Sequence, residues 1–133
     1  MSRILLDTSA MSAFFRGHEG IVQSVRSASR IAVNSVVMGE LYAGFRGGSK
    51  AEENRDLLRR FLGSPRVRIL GIDVETAERY ALIHDALRRA GKPIPTNDLW
   101  IAASAMQFGL VLVATDTHYR QVAQIASQLH DPM

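Results

Sequence analysis

Four acidic residues stand out because each lies where a predicted strand ends or a predicted helix begins: Asp7, Glu40, Asp98 and Asp116. Carboxylates held together repel one another and raise each other's pKa values unless a divalent cation neutralises them. Hard oxygen ligands favour Mg²⁺ or Mn²⁺. Such an ion can activate water and stabilise the charge that builds up on a phosphodiester under attack. These acids therefore predict metal-dependent phosphodiester hydrolysis.

The elements that must position these acids alternate along the chain. Short apolar runs at residues 4–6, 31–33, 67–70 and 110–113 are continuous rather than alternating in polarity, which is typical of strands buried on both faces. Helical periodicity covers residues 36–45, 50–62 and 74–90, and recurs at Leu99, Ala102, Ala103 and Met106. This β-α alternation predicts an α/β fold, a three-layer α/β/α sandwich around a central parallel sheet.

Parallel sheets of this kind bind ligands beyond the carboxyl ends of their strands. Asp7 follows the first strand directly, and Asp116 follows the fourth after two residues. Both should face one crevice if these strands are neighbours. Glu40 lies in the helix after the second strand, which Ser35 could cap, and Asp98 opens a later helix. We therefore expect two further carboxylates to enter the crevice from helices.

Each acid also has a simpler interpretation when taken alone. An acid after a strand is most often a helix cap, and Asp73, which precedes the helix 74–90, is interpreted in that way. Asp98 could be a first-turn acid favoured by the helix dipole. Glu40 lies in a largely apolar helix, so it must face a cation or water. His84 is interpreted as a core histidine, and the site does not require His118.

Composition limits the class of protein. The 133 residues suit one domain, 1–133, with 47% hydrophobic residues for a packed core. Because the chain has no cysteine, thiolate metal ligands and a cysteine nucleophile are excluded. The formal net charge of +3 fits an RNA partner without establishing one. No apolar run predicts a signal peptide or a membrane span, so we expect a cytoplasmic protein.

Four segments together resemble the successive motifs of the PIN-domain family, and more narrowly the VapC toxins of bacterial toxin–antitoxin pairs. They are the segments 5–9 (LLDTS), 35–41 (SVVMGEL), 96–103 (TNDLWIAA) and 113–119 (VATDTHY). The resemblance covers essentially the whole chain, in order, and the third segment is the most specific. One difference concerns Tyr119, where family members often carry Phe, and another concerns Thr115, where they often carry Asn.

The resemblance implies a role for each motif residue. Asp7, Glu40, Asp98 and Asp116 would form an acidic quartet, with Asp7 and Asp98 as direct ligands of Mg²⁺ or Mn²⁺. Glu40 and Asp116 would act through water, hold a second ion or orient the nucleophile. Polar support would come from three neighbours: Thr8, Ser9 and Thr115.

The same resemblance implies an endoribonuclease toxin that cuts structured cellular RNA. It also implies a cognate antitoxin that covers the crevice, a homodimer, and a higher assembly with the antitoxin.

Two other functions remain to be weighed. A phosphotransfer domain would need a second acid near Asp7 and a lysine after a late strand, whereas the only lysines are Lys50 and Lys92, in or beside loops. The stronger alternative is an inactive PIN-like module for RNA binding or assembly. Retention of four acids argues against it, because binding to a polyanion would gain from their loss.

Overall fold

A parallel sheet of five strands forms the centre of the computed structural model, which describes residues 2–132. In chain order the strands are β1 (Arg3–Leu6), β2 (Arg30–Asn34), β3 (Val67–Leu70), β4 (Val111–Ala114) and β5 (Ser127–Leu129). Their order across the sheet is β3-β2-β1-β4-β5, and every neighbouring pair is parallel. Because parallel neighbours need crossover connections, helices must lie between them in sequence.

Six α-helices supply or extend these crossovers within residues 2–132. They are α1 (Thr8–Phe15), α2 (Glu19–Ser27), α3 (Ser35–Arg46), α4 (Ala51–Leu62), α5 (Val74–Ala90) and α6 (Thr96–Phe108), and a short 3₁₀ turn spans Thr117–Gln121. The predicted α/β/α sandwich around a parallel sheet is confirmed. None of the helices in this part of the chain combines the length and apolar character needed to cross a membrane.

The strand order brings the first and fourth strands together, as the position of the acids requires. β1 pairs with β2 on one side and with β4 on the other, with Leu6 opposite Val113. The direction of winding therefore reverses between β1 and β4, and a crevice opens at such a point beyond the strand ends. Asp7 and Asp116 are the acids that follow these two strands.

Side-chain caps fix where the helices beside this crevice begin. The carboxylate of Asp7 accepts a hydrogen bond from the backbone N–H of Ala10 at 2.8 Å, which caps α1. The predicted cap of α3 by Ser35 is wrong, because Asn34 occupies that position and accepts from Val37 N–H at 3.0 Å. The cap by Asp73 is confirmed, with Thr76 completing a reciprocal pair of hydrogen bonds at the start of α5.

Packing of α5 corrects the expectation that His84 lies in the core. The buried side chains of this helix are Thr76, Ile83 and Leu87, and His84 lies outside this buried face and is exposed. His84 instead stacks on Tyr80, whose ring lies 4.1 Å from that of Trp100. A core histidine at this position was therefore wrong.

Candidate active site

Asp7 directly follows β1 and is almost fully buried, with 3% of its surface exposed. The hydroxyl of Ser9 lies 2.7 and 2.9 Å from its two carboxylate oxygens. Burial raises the pKa of Asp7 to about 6, opposed by the hydrogen bonds from Ser9 and Ala10, while the nearby charge of Asp98 raises it further. Removal of this carboxylate from water is therefore costly without a compensating cation.

Asp98, in the first turn of α6, receives two hydrogen-bonding partners from the 3₁₀ turn. The hydroxyl of Tyr119 donates to its Oδ1 at 3.2 Å, and Nδ1 of His118 lies 2.9 Å from its Oδ2. Burial is the main cause that raises the pKa of Asp98, and the charge of Asp116 adds to it. Tyr119 is completely buried, and burial is the main cause that raises the pKa of its phenol. The hydroxyl is therefore a neutral donor.

Asp116 joins the same group through His118. Its Oδ1 lies 3.0 Å from His118 Nδ1 and also accepts the backbone N–H of His118 at 2.9 Å. The hydrogen bond to Asp98 is the main cause that raises the pKa of His118. One ligand atom each from Asp98, Asp116 and His118 lies within 4.8 Å of the others, so a single cation can contact all three.

Glu40 occupies a distinct part of the crevice, where two hydrogen-bond donors hold its carboxylate. Thr8, in the first turn of α1, donates its hydroxyl to one oxygen, and Nδ2 of Asn97 donates to the other at 3.2 Å. Thus α1, which Asp7 caps, and α6, which carries Asp98, fix the side chain of Glu40 in α3. Glu40 satisfies the sequence argument by facing polar groups instead of the apolar side of its helix.

The residues predicted as support have defined contacts. Thr8 donates to Glu40, and Ser9 contacts Asp7. The Ser9 oxygen also accepts the backbone N–H of Thr115 at 3.0 Å, which ties α1 to the segment after β4. The contact of Thr115 is made by its backbone, so the type of side chain at that position matters little for this link.

Sequence reasoning gave His118 no necessary role and treated Tyr119 as a minor departure from the motif. The structure places both against Asp98. A signal was available, since both residues follow Asp116 closely and a 3₁₀ turn there points successive side chains back to the crevice. What the sequence did not show is that this turn packs against the start of α6.

The residues present fit a divalent cation. The carboxylates of Asp98 and Asp116 and one imidazole converge, and the buried carboxylate of Asp7 is near enough to Asp98 for its pKa to be raised by that charge as well as by burial. Oxygen-rich donor sets suit Mg²⁺ and Mn²⁺, and an added nitrogen suits Mn²⁺ better than Mg²⁺. In the described part of the chain, no arginine or lysine forms an ion pair with any of the four acids.

Comparison with known proteins agrees with this geometry. Residues 4–125 match the PIN domain, a range that includes all four acids. Ribonuclease VapC4 of Mycobacterium tuberculosis is 33% identical over 93 residues, which cover 70% of this chain and 72% of the relative.

Two solved structures share the fold over nearly the whole chain. DNA-bound VapBC from Salmonella typhimurium superposes with a TM-score of 0.83 at 25% identity and covers 96% of this chain and 98% of that one. FitAcB from Neisseria gonorrhoeae superposes with a TM-score of 0.79 at 29% identity and covers 97% of each chain. With the acids, the topology and the matched sequence in agreement, this chain belongs to the PIN-domain family, among its VapC-type ribonucleases.

Proposed function

We propose that this VapC-type ribonuclease is a metal-dependent endoribonuclease in which Asp7, Glu40, Asp98 and Asp116 form the active site. The observation that carries the proposal is the convergence of a buried carboxylate with a raised pKa and a group of ligands that one cation can contact. Mg²⁺ or Mn²⁺ is the ion that we assign to this site, because its donors are mainly carboxylate oxygens. Thr8, Ser9 and Thr115 hold the carboxylates in place.

The chemistry follows from what each side chain can do. A divalent cation in this crevice supplies a Lewis acid for the phosphodiester and lowers the pKa of bound water. Asp98, with Asp116 and His118 beside it, would hold the cation, and Asp7, whose charge interacts with that of Asp98, would be the second direct ligand. Asp116 and His118 would border the same position, and in this structure His118 Nδ1 lies within hydrogen-bonding distance of both aspartates.

Glu40 is suited to a different task. Both of its oxygens accept hydrogen bonds from neutral groups, so the carboxylate is held in one orientation without belonging to the ligand group. In that position it orients the attacking water and accepts its proton. The ribose 2′-hydroxyl is not required, and the products carry a 5′-phosphate and a 3′-hydroxyl.

The biological setting comes from the relatives. The solved structures similar to this chain include a member of the VapBC family of toxin–antitoxin systems from Mycobacterium tuberculosis and a toxin–antitoxin complex from Klebsiella pneumoniae. We infer that this chain is the toxin of such a pair, that it acts on cellular RNA in the cytoplasm, and that it forms a homodimer which a cognate antitoxin inhibits. The antitoxin blocks the crevice with a segment whose cationic side chains meet the carboxylates.

End-group analysis of cut RNA tests the chemistry. Purified total bacterial RNA is incubated with wild type, with Asp7→Asn, and with Asp73→Asn, a matched control in which Asn keeps the helix cap of α5. We expect cutting by wild type and Asp73→Asn in Mg²⁺ or Mn²⁺, 5′-phosphate ends, no cutting in EDTA and none by Asp7→Asn.

Cyclic-phosphate ends, or full activity in EDTA, would show a metal-independent mechanism that uses the 2′-hydroxyl. Binding of RNA without cutting in any metal would instead favour the inactive binding module. That alternative also predicts that Asp7→Asn binds RNA more tightly, because one negative charge is removed from the surface that meets a polyanion.

A further inference from the structure

The opposite end of the sheet carries a concentrated positive charge. Arg3 and Arg30 open β1 and β2 and are aligned in the sheet, Arg66 immediately precedes β3, and Arg68 lies within it. Together with Phe108 at the end of α6, these arginines line one cleft of about 290 Å³, which we call the arginine cleft. It lies at the amino ends of the strands, away from the four acids.

The charge of the arginine cleft is not neutralised by the protein. Elsewhere in residues 2–132, five arginines pair with carboxylates: Arg59 and Arg60 with Asp56, Arg79 with Glu75, and Arg88 and Arg89 with Asp85. In that same range, no arginine of the cleft forms an ion pair. Like charges gathered without partners are unfavourable for the isolated fold, and an anionic ligand would relieve the repulsion.

Part of the cleft is preorganised. Nη1 of Arg66 donates to the backbone carbonyls of Val25 and Ala28 at 3.0 and 2.6 Å, which holds this guanidinium between α2 and the sheet. Arg3, Arg30 and Arg68 are exposed and can adapt to a ligand. A fixed cation with mobile cations around it suits a flexible anionic chain.

We propose that the arginine cleft binds the phosphate backbone of RNA, as a contact separate from the acidic crevice; this rests on the proposed ribonuclease function. Arg3 and Arg30 are aligned on neighbouring strands about 4.8 Å apart, and Arg68 of β3 lies opposite Ala32, so the three arginines form a staggered row across three strands. A row of guanidinium groups matches consecutive phosphates better than a single small anion. Phe108, 38% exposed at the rim, offers a ring on which a base can stack.

The arginine cleft can offset the repulsion between RNA and the acids at the other end of the sheet. Four carboxylates repel RNA before a cation neutralises them, so the crevice alone is a poor initial binding surface. A basic surface elsewhere on the protein can retain the RNA while it reaches the crevice. In EDTA this contribution is isolated, because the crevice then opposes binding.

Binding of fluorescein-labelled 20-nucleotide oligouridylate in EDTA, measured by anisotropy over a range of salt concentrations, tests the proposal. The cleft variant is Arg3→Gln/Arg30→Gln/Arg68→Gln, which retains the anchored Arg66. The matched control is Arg59→Gln/Arg60→Gln/Arg89→Gln, whose arginines already have carboxylate partners. Both variants lower the formal net charge from +3 to zero, so general charge effects are equal.

We expect the cleft variant to bind at least about tenfold more weakly at low salt. The magnitude of its salt slope should fall by about 2, because each of the three lost phosphate contacts with a single strand contributes about 0.7. The control should keep nearly the wild-type slope. Equal losses in the two variants, or none in either, would overturn the proposal. So would binding of polyglutamate as tight as that of the RNA, which would indicate an acidic polypeptide.

Two further measurements keep the outcome interpretable. If the triple cleft variant shows a lower thermal midpoint, the single change Arg68→Gln should still reduce the slope by about 0.7. Because binding is measured in EDTA, the result does not depend on cleavage. If wild type does not cut RNA with any metal but the cleft variant shows the expected fall in salt slope, the proposed function alone is contradicted. If wild type cuts RNA but the cleft variant keeps the wild-type slope, the proposal for the cleft alone is contradicted.

Discussion

The two ends of one sheet hold their charges in different ways. At the carboxyl ends of the strands, Asp7 is buried and its partners Ser9 and Ala10 are themselves packed into the fold. At the amino ends, Arg3, Arg30 and Arg68 are exposed and lack carboxylate partners within the described residues. Both groups of charged residues lie near the ends of strands, so the backbone position alone does not explain the difference.

The difference is therefore one of desolvation. Charges that water cannot reach need a partner of opposite charge at a defined position, and they shift the pKa values of the groups around them. Charges in water need only a diffuse counter-ion, and they act at a distance that salt shortens. We expect the carboxyl end to be sensitive to single atoms and the amino end to respond mainly to total charge and salt.

The largest expected effect comes from Asp98→Asn. Cutting of RNA in Mg²⁺ should fall by on the order of 10³-fold, because a ligand charge is removed while the shape of the side chain is retained. In EDTA the free energy of unfolding should stay the same or rise, since burial of a charge and its repulsion with Asp116 are both relieved. Denaturant midpoints in EDTA provide the second measurement.

A fall of several kcal/mol in the EDTA experiment would contradict this interpretation of Asp98. It would mean that the carboxylate mainly stabilises the start of α6 through the helix dipole. The carboxyl end would then be a structural device like the cap at Asp73.

The second effect is the pH dependence produced by Asp7. The folded protein keeps the Asp7 proton up to about pH 6, whereas the unfolded chain loses it near 3.8, so the folded state binds more protons between these values. The free energy of unfolding contributed by this group is therefore greatest at low pH and falls as pH rises through that window, by about 3 kcal/mol in total.

This contribution is isolated as the difference between wild type and Asp7→Asn in urea titrations from pH 4 to pH 8. In EDTA the variant should gain on wild type as pH rises, and saturating Mg²⁺ should reverse the difference at pH 8 by stabilising wild type alone. A constant difference across the pH range would contradict the raised pKa.

A smaller effect is expected from Tyr119→Phe, which removes only the hydroxyl that donates to Asp98. Loss of a hydrogen bond to a ligand should weaken Mn²⁺ binding by about tenfold, measured by calorimetry, and lower stability by about 1 kcal/mol. Tyr80→Phe is a matched control, because Tyr80 packs between His84 and Trp100 away from the acids. Equal metal affinity in both variants would mean that the phenol serves packing alone.

The smallest effect belongs to the amino end. Arg30→Gln should change the free energy of unfolding by no more than about 0.5 kcal/mol, upward at low salt, because repulsion within the arginine cleft is reduced. Arg66→Gln should cost about 1 to 2 kcal/mol, since the Arg66 guanidinium caps two backbone carbonyls. If thermal and urea unfolding placed Arg30→Gln at the same cost as Arg66→Gln, the contrast between fixed and mobile arginines would be wrong.

Much of the fold was predictable because the four strands β1 to β4 are continuous apolar runs. The two helices and the strand that were not predicted lack such a signal. α1 has small and apolar residues without a clear polar face, α2 buries only Ile21 and Val25, and β5 consists of three residues, none fully buried, that pair with β4. Their structure depends on the surface they pack against more than on local pattern.

The sequence identified the side chains to consider for the site, but it did not show the contacts among them. Spacing could place four acids near one crevice, but not show that Glu40 bonds to Thr8 and Asn97 while Asp98 and Asp116 share His118. Those contacts join residues far apart in sequence and depend on how α1, α3 and α6 pack. The prediction for His84 was wrong for the same reason, because the packing of α5 buries a different face of the helix and leaves His84 exposed.

The buried side chain of Asn34 has a mechanical consequence. Its carbonyl caps α3, and its amide donates to Ser104 in α6 at 3.0 Å, so one rigid group joins the helix that carries Glu40 to the helix that carries Asp98. A motion that separated the two acids would have to break at least one of these buried hydrogen bonds. The backbone N–H of Val37 should then exchange with deuterium only as slowly as the whole protein unfolds, and the mouth of the crevice keeps a constant width during thermal motion.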